Sequence, residues 1–470
     1  MKNNINLTLL SFLFTVLIIV NPVAHAELNL ELPDLKLPDL VSTSIPAIGY
    51  TEERKIGLKV LRKFRSRGNI IEDPEISHWI QTLGNRLSVR ASSTGNPFYF
   101  LVSKNRSINA FATMGGVIVV NAGLILKTES ESELAAVISH EIAHVTQRHI
   151  ERMIDQSRQN VLGRSAAILA GVVAGSKNPQ LGSAILTTTM ATSMHKQLSF
   201  SREAESEADR VGLNILASAG YNPQGMPLFL QKLEQLSDSR FSEVSEYLQS
   251  HPLAHKRVLD AQLRANKIRS SRTNEHADYL YMREKIRALT RAPAAAKLLP
   301  KINRYAQALQ LKQKGNFSRA LHITRGFNRQ IYEASLQASL LNKQKQYAKT
   351  VQLLRPLLES YPNNIALSIP LARATLALGQ AEQAWRIVRN VPLSEQTSLE
   401  FFEVRQQIAH ASRHDAEAYR SAAERNIRIG EYKYAAIQLR QAMKQRDINA
   451  AQLIQFQKLL ANVESKIKTQ

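Results

Sequence analysis

From Ser132 to His144 the chain runs without a helix breaker and carries His140-Glu141-Ile142-Ala143-His144 at its end. Strong helix formers dominate the run, so it is expected to be one α-helix. On a helix the two histidines, four residues apart, lie on one face one turn from each other. That separation lets both imidazoles bind a single zinc ion at about 2.0–2.1 Å. Glu141 sits beside the same face, where it can serve a water molecule without taking a metal position itself.

A catalytic zinc site needs a third protein ligand and one open position. The chain contains no cysteine, so that ligand must be His, Asp or Glu. Thiol nucleophiles, disulfides and a lipidated cysteine anchor are excluded by the same count. The best source is Ser201-Arg202-Glu203-Ala204-Glu205-Ser206-Glu207-Ala208-Asp209. Glu205 and Asp209 share one face of a second predicted helix. Glu205 could hold zinc while Asp209 accepts from the far nitrogen of a ligating histidine and fixes its tautomer. From spacing alone Glu203 and Glu207 compete with Glu205. His149 and His195 have no partner at useful spacing and read as structural.

The N-terminus reads as an export signal. Lys2 supplies a positive start, Leu7 to Val20 is mostly apolar, and Ala24-His25-Ala26 is a small-x-small cleavage site. Cleavage is expected after Ala26, with residues 27–50 an extended, proline-bearing lead-in. An exported chain without cysteine suits a bacterial periplasm. Charge divides the remainder. Residues 1–260 carry 26 Lys and Arg against 24 Asp and Glu, whereas residues 261–470 carry 35 against 15. The shift marks a boundary near 260–270.

Helices are expected over 51–66 and 74–90. Pro97 to Val102 and Gly116 to Val120 are β-rich, with Asn109-Ala110-Phe111-Ala112 between them. A small antiparallel sheet is the simplest account. Residues 161–195 are small and apolar and read as a buried helical hairpin, with a flap or a membrane-grazing surface as the alternative. Beyond 300 a pattern recurs at Gly315, Lys345, Gly379 and Gly430: a turn residue, an aromatic or Ala two positions on, and a small residue five on. The first two intervals lie near the tetratricopeptide period and the third is longer.

H-E-x-x-H followed some 60 residues later by E-x-x-A-D resembles the gluzincin peptidases related to HtpX and the CAAX prenyl proteases. The resemblance implies that Glu205 is the third zinc ligand and Glu141 the general base. Asn109, Ala110, Phe111 and Ala112, followed by Gly115-Gly116, are similar to the family's strand beside the cleft, which implies pairing with an extended substrate backbone. Met114 stands where the family often has Pro, which implies a changed turn and the same chemistry. His251-Pro252, with Arg257 five residues on, resembles an element whose histidine lies near the metal. This implies that His251 is a fourth ligand or a switch that caps zinc at rest, with Arg257 anchoring the element on acidic groups.

The resulting fold expectation is mostly α: a gluzincin-type zinc peptidase domain at 51–265, a helical linker at 266–299, and an α-solenoid of tetratricopeptide-like repeats at 300–470. One Zn2+ per chain is the implied cofactor. The order of export signal, peptidase and repeats resembles the family's soluble, exported branch. That implies a periplasmic endopeptidase with chaperone-like activity in the quality control and assembly of outer-membrane β-barrel proteins. The alternative is a chaperone or assembly factor with little proteolysis. The basic repeats suit acidic protein loops or an anionic membrane surface. Export argues against nucleic acid.

Overall fold

The computed structural model describes residues 49–91, 97–154, 200–237, 245–268, 275–327 and 330–468. The export signal, the lead-in to residue 48, and the stretch 161–195 with His195 lie outside them.

Two helices open the fold, α1 (Tyr50–Ser66) and α2 (Pro74–Ser88). Pro74 occupies the first turn of α2, and the Asp73 carboxylate accepts from the Glu75 and Ile76 amides, so the sequence itself caps that helix. Three strands follow: β1 (Tyr99–Ser103), β2 (Ala110–Thr113) and β3 (Val117–Asn121).

The sheet corrects the antiparallel expectation. Its order is β1-β3-β2, with β2 antiparallel to β3 and β1 parallel to it. The strands alternate in direction along the chain, so an all-antiparallel sheet would need β2 in the middle. Instead β3, whose five residues are all buried, takes the centre and leaves β2 at the edge. The turn between β2 and β3 is forced by Gly115 and Gly116, at φ 77° and 78°. A Cβ on Gly115 would lie 2.2 Å from the Glu53 carbonyl oxygen of α1, so the hairpin packs backbone to backbone.

After α3 (Ala122–Lys127) comes α4 (Glu131–Thr146), capped by Ser130 and buried from Glu131 through His144. Around it pack α5 (Arg202–Ser218), α6 (Gly225–Ser237), α7 (Ser245–Ser250) and α8 (His255–Lys267). Next, α9 (Ala277–Leu289) touches α2 and α3 on one side and α10 (Pro300–Gln313) on the other. One apolar core therefore runs from Ile71 through Tyr279 and Tyr281 to Leu340.

The helical array continues as α11 (Phe317–Ile323), α12 (Ile331–Lys343), α13 (Tyr347–Ser360), α14 (Ile365–Ala377), α15 (Ala381–Val388), α16 (Leu399–Ala411), α17 (Asp415–Ile429), α18 (Tyr432–Ala442) and α19 (Ala450–Lys468). Gly315, Lys345, Gly379 and Gly430 all have positive φ at helix ends, and so does Arg413 at φ 60°. At each the next amide reaches back to a carbonyl five residues earlier, as in His414 to Ala409 at 2.8 Å, a Schellman-type stop. Arg413 explains the long third interval: it is the turn between α16 and α17, hidden because arginine occupies a position that favours glycine. The array also meets α1. Arg65 of α1 donates to the Glu395 carbonyl, and Arg428 of α17 donates to that of Ser394 at 2.8 Å. No helix among the described residues is long and apolar enough to cross a membrane.

Candidate metal centre and active site

The site forms where α4 meets α5, and Gly212 sets how closely they approach. A Cβ there would lie 3.0 Å from the His140 amide nitrogen and 3.1 Å from its Cα. Three residues earlier on α5 stands Asp209, and seven earlier Glu205, so the small residue brings both acids against the two histidines.

His140, His144, Glu205 and His251 are all buried, with one donor atom from each lying within 4.8 Å of the others. His140 Nε2 and His144 Nε2 are 2.9 Å apart. The Glu205 carboxylate lies 3.5 Å from the first and 3.4 Å from the second. Ligands at about 2.05 Å around a tetrahedral ion are separated by about 3.3 Å, so these spacings suit zinc. His251 enters from the segment after α7, with Nδ1 2.9 Å from Glu205 Oε1 and 3.4 Å from His140 Nε2.

The chemistry of the donor set makes the same point. Asp209 Oδ1 faces His140 Nδ1 at 3.0 Å and requires that nitrogen to carry the proton. His140 Nε2 then points toward His144 Nε2, and a bound cation would replace any proton there. Two imidazole nitrogens and a carboxylate converging in a buried pocket are what a divalent cation would join. Arg257 of α8 grips Asp209 with two hydrogen bonds, at 2.7 and 2.9 Å, and reaches Glu205 Oε2 at 2.6 Å. It also donates to the Pro252 carbonyl, which ties the His251 segment to the acids.

Charge follows burial. Burial would raise Glu205, but His251, His140 and His144 outweigh it and hold its carboxyl well below the usual range. Asp209 is likewise lowered, burial being overcome by Arg257. For His140, burial works downward, yet Asp209 and Glu205 push it up to about 10. His144 is driven far down by burial.

Glu141 differs from its neighbours. It is 1% exposed, and neither carboxylate oxygen has a hydrogen-bond partner of good geometry among the described residues. Burial raises its pKa, against the pull of His251 and His140. His251 Nε2 lies 3.6 Å from Glu141 Oε1. The Ala112 backbone also pulls the Glu141 carboxyl down, yet burial prevails, and buried carboxyls with raised pKa concentrate where proton transfer occurs. Strand β2 packs against α4, so Ala110, Phe111 and Ala112 form the sheet edge beside the histidine helix, with Asn109 buried at its start. Glu203 lies on the exposed side of α5 and takes no part.

Two residues lie closer to the candidate metal ligands than the sequence indicates: His149, which reads there as structural, and Phe200. His149 Nδ1 lies 2.9 Å from His144 Nδ1, and its Nε2 lies 3.1 Å from Glu207. Phe200 covers the His144 ring at 4.0 Å between centroids. Phe200 has no sequence signal at all, and the signal for His149 is masked by its five-residue spacing from His144.

A buried carboxylate of raised pKa beside three metal-type donors is the arrangement that general-base hydrolysis at a metal uses; fold and site together define a metallopeptidase. Residues 74–265 match the model of peptidase family M48, and residues 341–408 match a tetratricopeptide repeat model. The chain belongs to peptidase family M48, alongside the β-barrel assembly-enhancing proteases. It is 35% identical over 361 residues to the β-barrel assembly-enhancing protease of Yersinia pestis, covering 76% of this chain and 70% of that one. With the Escherichia coli K12 protein of the same name it shares 32% over 329 residues, 70% of this chain and 64% of the relative. The metalloprotease LoiP of Escherichia coli K12 is 31% identical over 179 residues, 37% of this chain and 67% of its own length.

Proposed function

We propose that this chain is an exported zinc endopeptidase that removes or triages outer-membrane β-barrel proteins during their assembly, with chaperone-like binding by its repeats. The observation that carries the hydrolytic part is Glu141: buried, its pKa raised by that burial, and set between the Ala112 backbone of the edge strand and the His140, His144 and Glu205 cluster. The β-barrel part is supported by the names of the relatives. The compartment is the periplasm, reached after cleavage following Ala26.

His140, His144 and Glu205 would hold one zinc ion. When bound, zinc supplies Lewis acidity, which makes water nucleophilic near neutral pH and polarises a carbonyl. Glu141 takes the proton of the attacking water and returns it to the leaving amine. Asp209 holds the His140 tautomer, and Arg257 holds Asp209. Asn109 to Ala112 align an extended substrate segment by backbone pairing, a mode that suits unfolded β-strands. His251, whose Nδ1 lies 2.9 Å from Glu205, would reach the same ion at rest and keep the attacking water from it. The basic repeat face meets acidic protein loops or an anionic membrane surface, and no nucleic acid is involved.

One assay separates these roles: digestion of an unfolded outer-membrane β-barrel protein by purified wild type, Glu141→Gln and His251→Ala. Glu141→Gln should lose about 10²–10⁴-fold in cleavage while retaining zinc. His251→Ala should raise basal cleavage; an unchanged rate removes the cap. Full rescue of a deletion strain by Glu141→Gln would transfer the main role from proteolysis to binding.

A further inference from the structure

The two histidines of α4 are backed by different chemistry. Behind His140 is a carboxylate, Asp209, at 3.0 Å. Behind His144 is another imidazole, His149, at 2.9 Å between Nδ1 atoms, and the carboxylate comes one step later, with His149 Nε2 3.1 Å from Glu207. Glu207 is shared with Arg152 at 2.7 Å and is partly open to solvent, whereas His149 is buried.

The hydrogen-bond partners dictate the protons. A carboxylate only accepts, so His149 Nε2 carries hydrogen. Neutral imidazole then offers its Nδ1 as an acceptor, and His144 Nδ1 must donate to it. That leaves the His144 Nε2 lone pair directed at the cluster with His140 and Glu205. The reverse tautomer would place a proton on Nε2 and forbid ligation.

We infer that His149 is a positioning residue for the metal ligand His144, a neutral relay that fixes its tautomer and keeps the balancing carboxylate of Glu207 away from the pocket. The pocket already contains Glu141, Glu205 and Asp209, with Arg257 as the cation bound to the last two. A carboxylate directly behind His144 would add like charge to a buried cluster. An imidazole orients the ring without that charge.

The backbone is bent to achieve this. On a continuous helix a residue five positions after His144 would point well off its face. Arg148 instead adopts φ 55°, unusual for a non-glycine residue, and the chain re-enters helical conformation at His149. An ion pair with Glu53 and the face of Tyr50 at 5.1 Å hold Arg148 in that turn. Strained backbone that is held by its surroundings is concentrated at functional sites.

This inference rests on the zinc reading above, so the test begins from wild-type zinc affinity, measured on the full chain by competition with a chromophoric chelator. His149→Phe keeps the bulk and removes the acceptor, and should weaken zinc about 10–100-fold. His149→Asn returns an acceptor oxygen near the Nδ1 position and should recover most of the loss. Circular dichroism of the zinc-stripped variants checks folding. Wild-type affinity in His149→Phe, or equal weakness in His149→Asn, overturns the relay. Should His149→Phe fail to fold, Glu207→Ala breaks the chain at its half-exposed end and should cost about tenfold, with unchanged affinity overturning the inference. A wild type that binds no zinc would instead defeat the metal reading itself.

Discussion

Buried charge is used differently in the two halves of the molecule. In the repeat array Arg405 pairs with Glu417 at 2.7 Å and donates to Ser421 at 2.6 Å, while Arg428 pairs with Glu424 at 2.6 Å. Those acids are paired in place, and the Arg405–Glu417 pair ties α16 to α17. In the peptidase half Glu141 lies as deep as any of them without a hydrogen bond of good geometry, and Glu205 is surrounded by three imidazoles. The array pairs these buried acids with arginines, whereas Glu141 has no lysine or arginine partner among the described residues. The net charge follows the same division: nearly balanced up to residue 260 and strongly basic beyond it.

The sharpest way to break this contrast is to remove a structural pair. Arg405→Ala leaves Glu417 buried beside weaker partners and should destabilise the chain by about 3 kcal/mol or more, seen as a lower denaturation midpoint. Its zinc affinity should be unchanged. A zinc defect in that variant would mean that the array and the metal site are not separable. A smaller effect is expected at Gly212. Gly212→Ala introduces a Cβ against the His140 backbone and should cost about 1–3 kcal/mol of stability. Here zinc should weaken as well, because α5 carries Glu205 and is pushed away from α4. Comparing stability and chelator competition in the two variants distinguishes a scaffold residue from one that spaces the site.

Much of this was legible from residue types alone. The histidine helix, the acid-bearing helix, the two opening helices and the recurring turns all announce themselves by local spacing, and a helix writes its faces into sequence. The choice of Glu205 over Glu203 and Glu207 was not local. It depends on which face of α5 meets α4, and Gly212 decides that through a backbone contact no periodicity reports. The sheet order was also hidden, because strand direction is set by the chain but neighbour choice is set by packing. His149 escaped because an arginine in left-handed conformation resets the helical phase between it and His144. Arg413 escaped for the same reason: it turns the chain where the eye looks for glycine.

The central claim is that His140, His144 and Glu205 grip one divalent ion. Elemental analysis of purified wild type and Glu205→Ala, after equilibration with zinc and removal of the excess, tests it directly. The account predicts one zinc per wild-type chain and a large loss on substitution of Glu205. Wild type without zinc, or Glu205→Ala with a full equivalent, would contradict it.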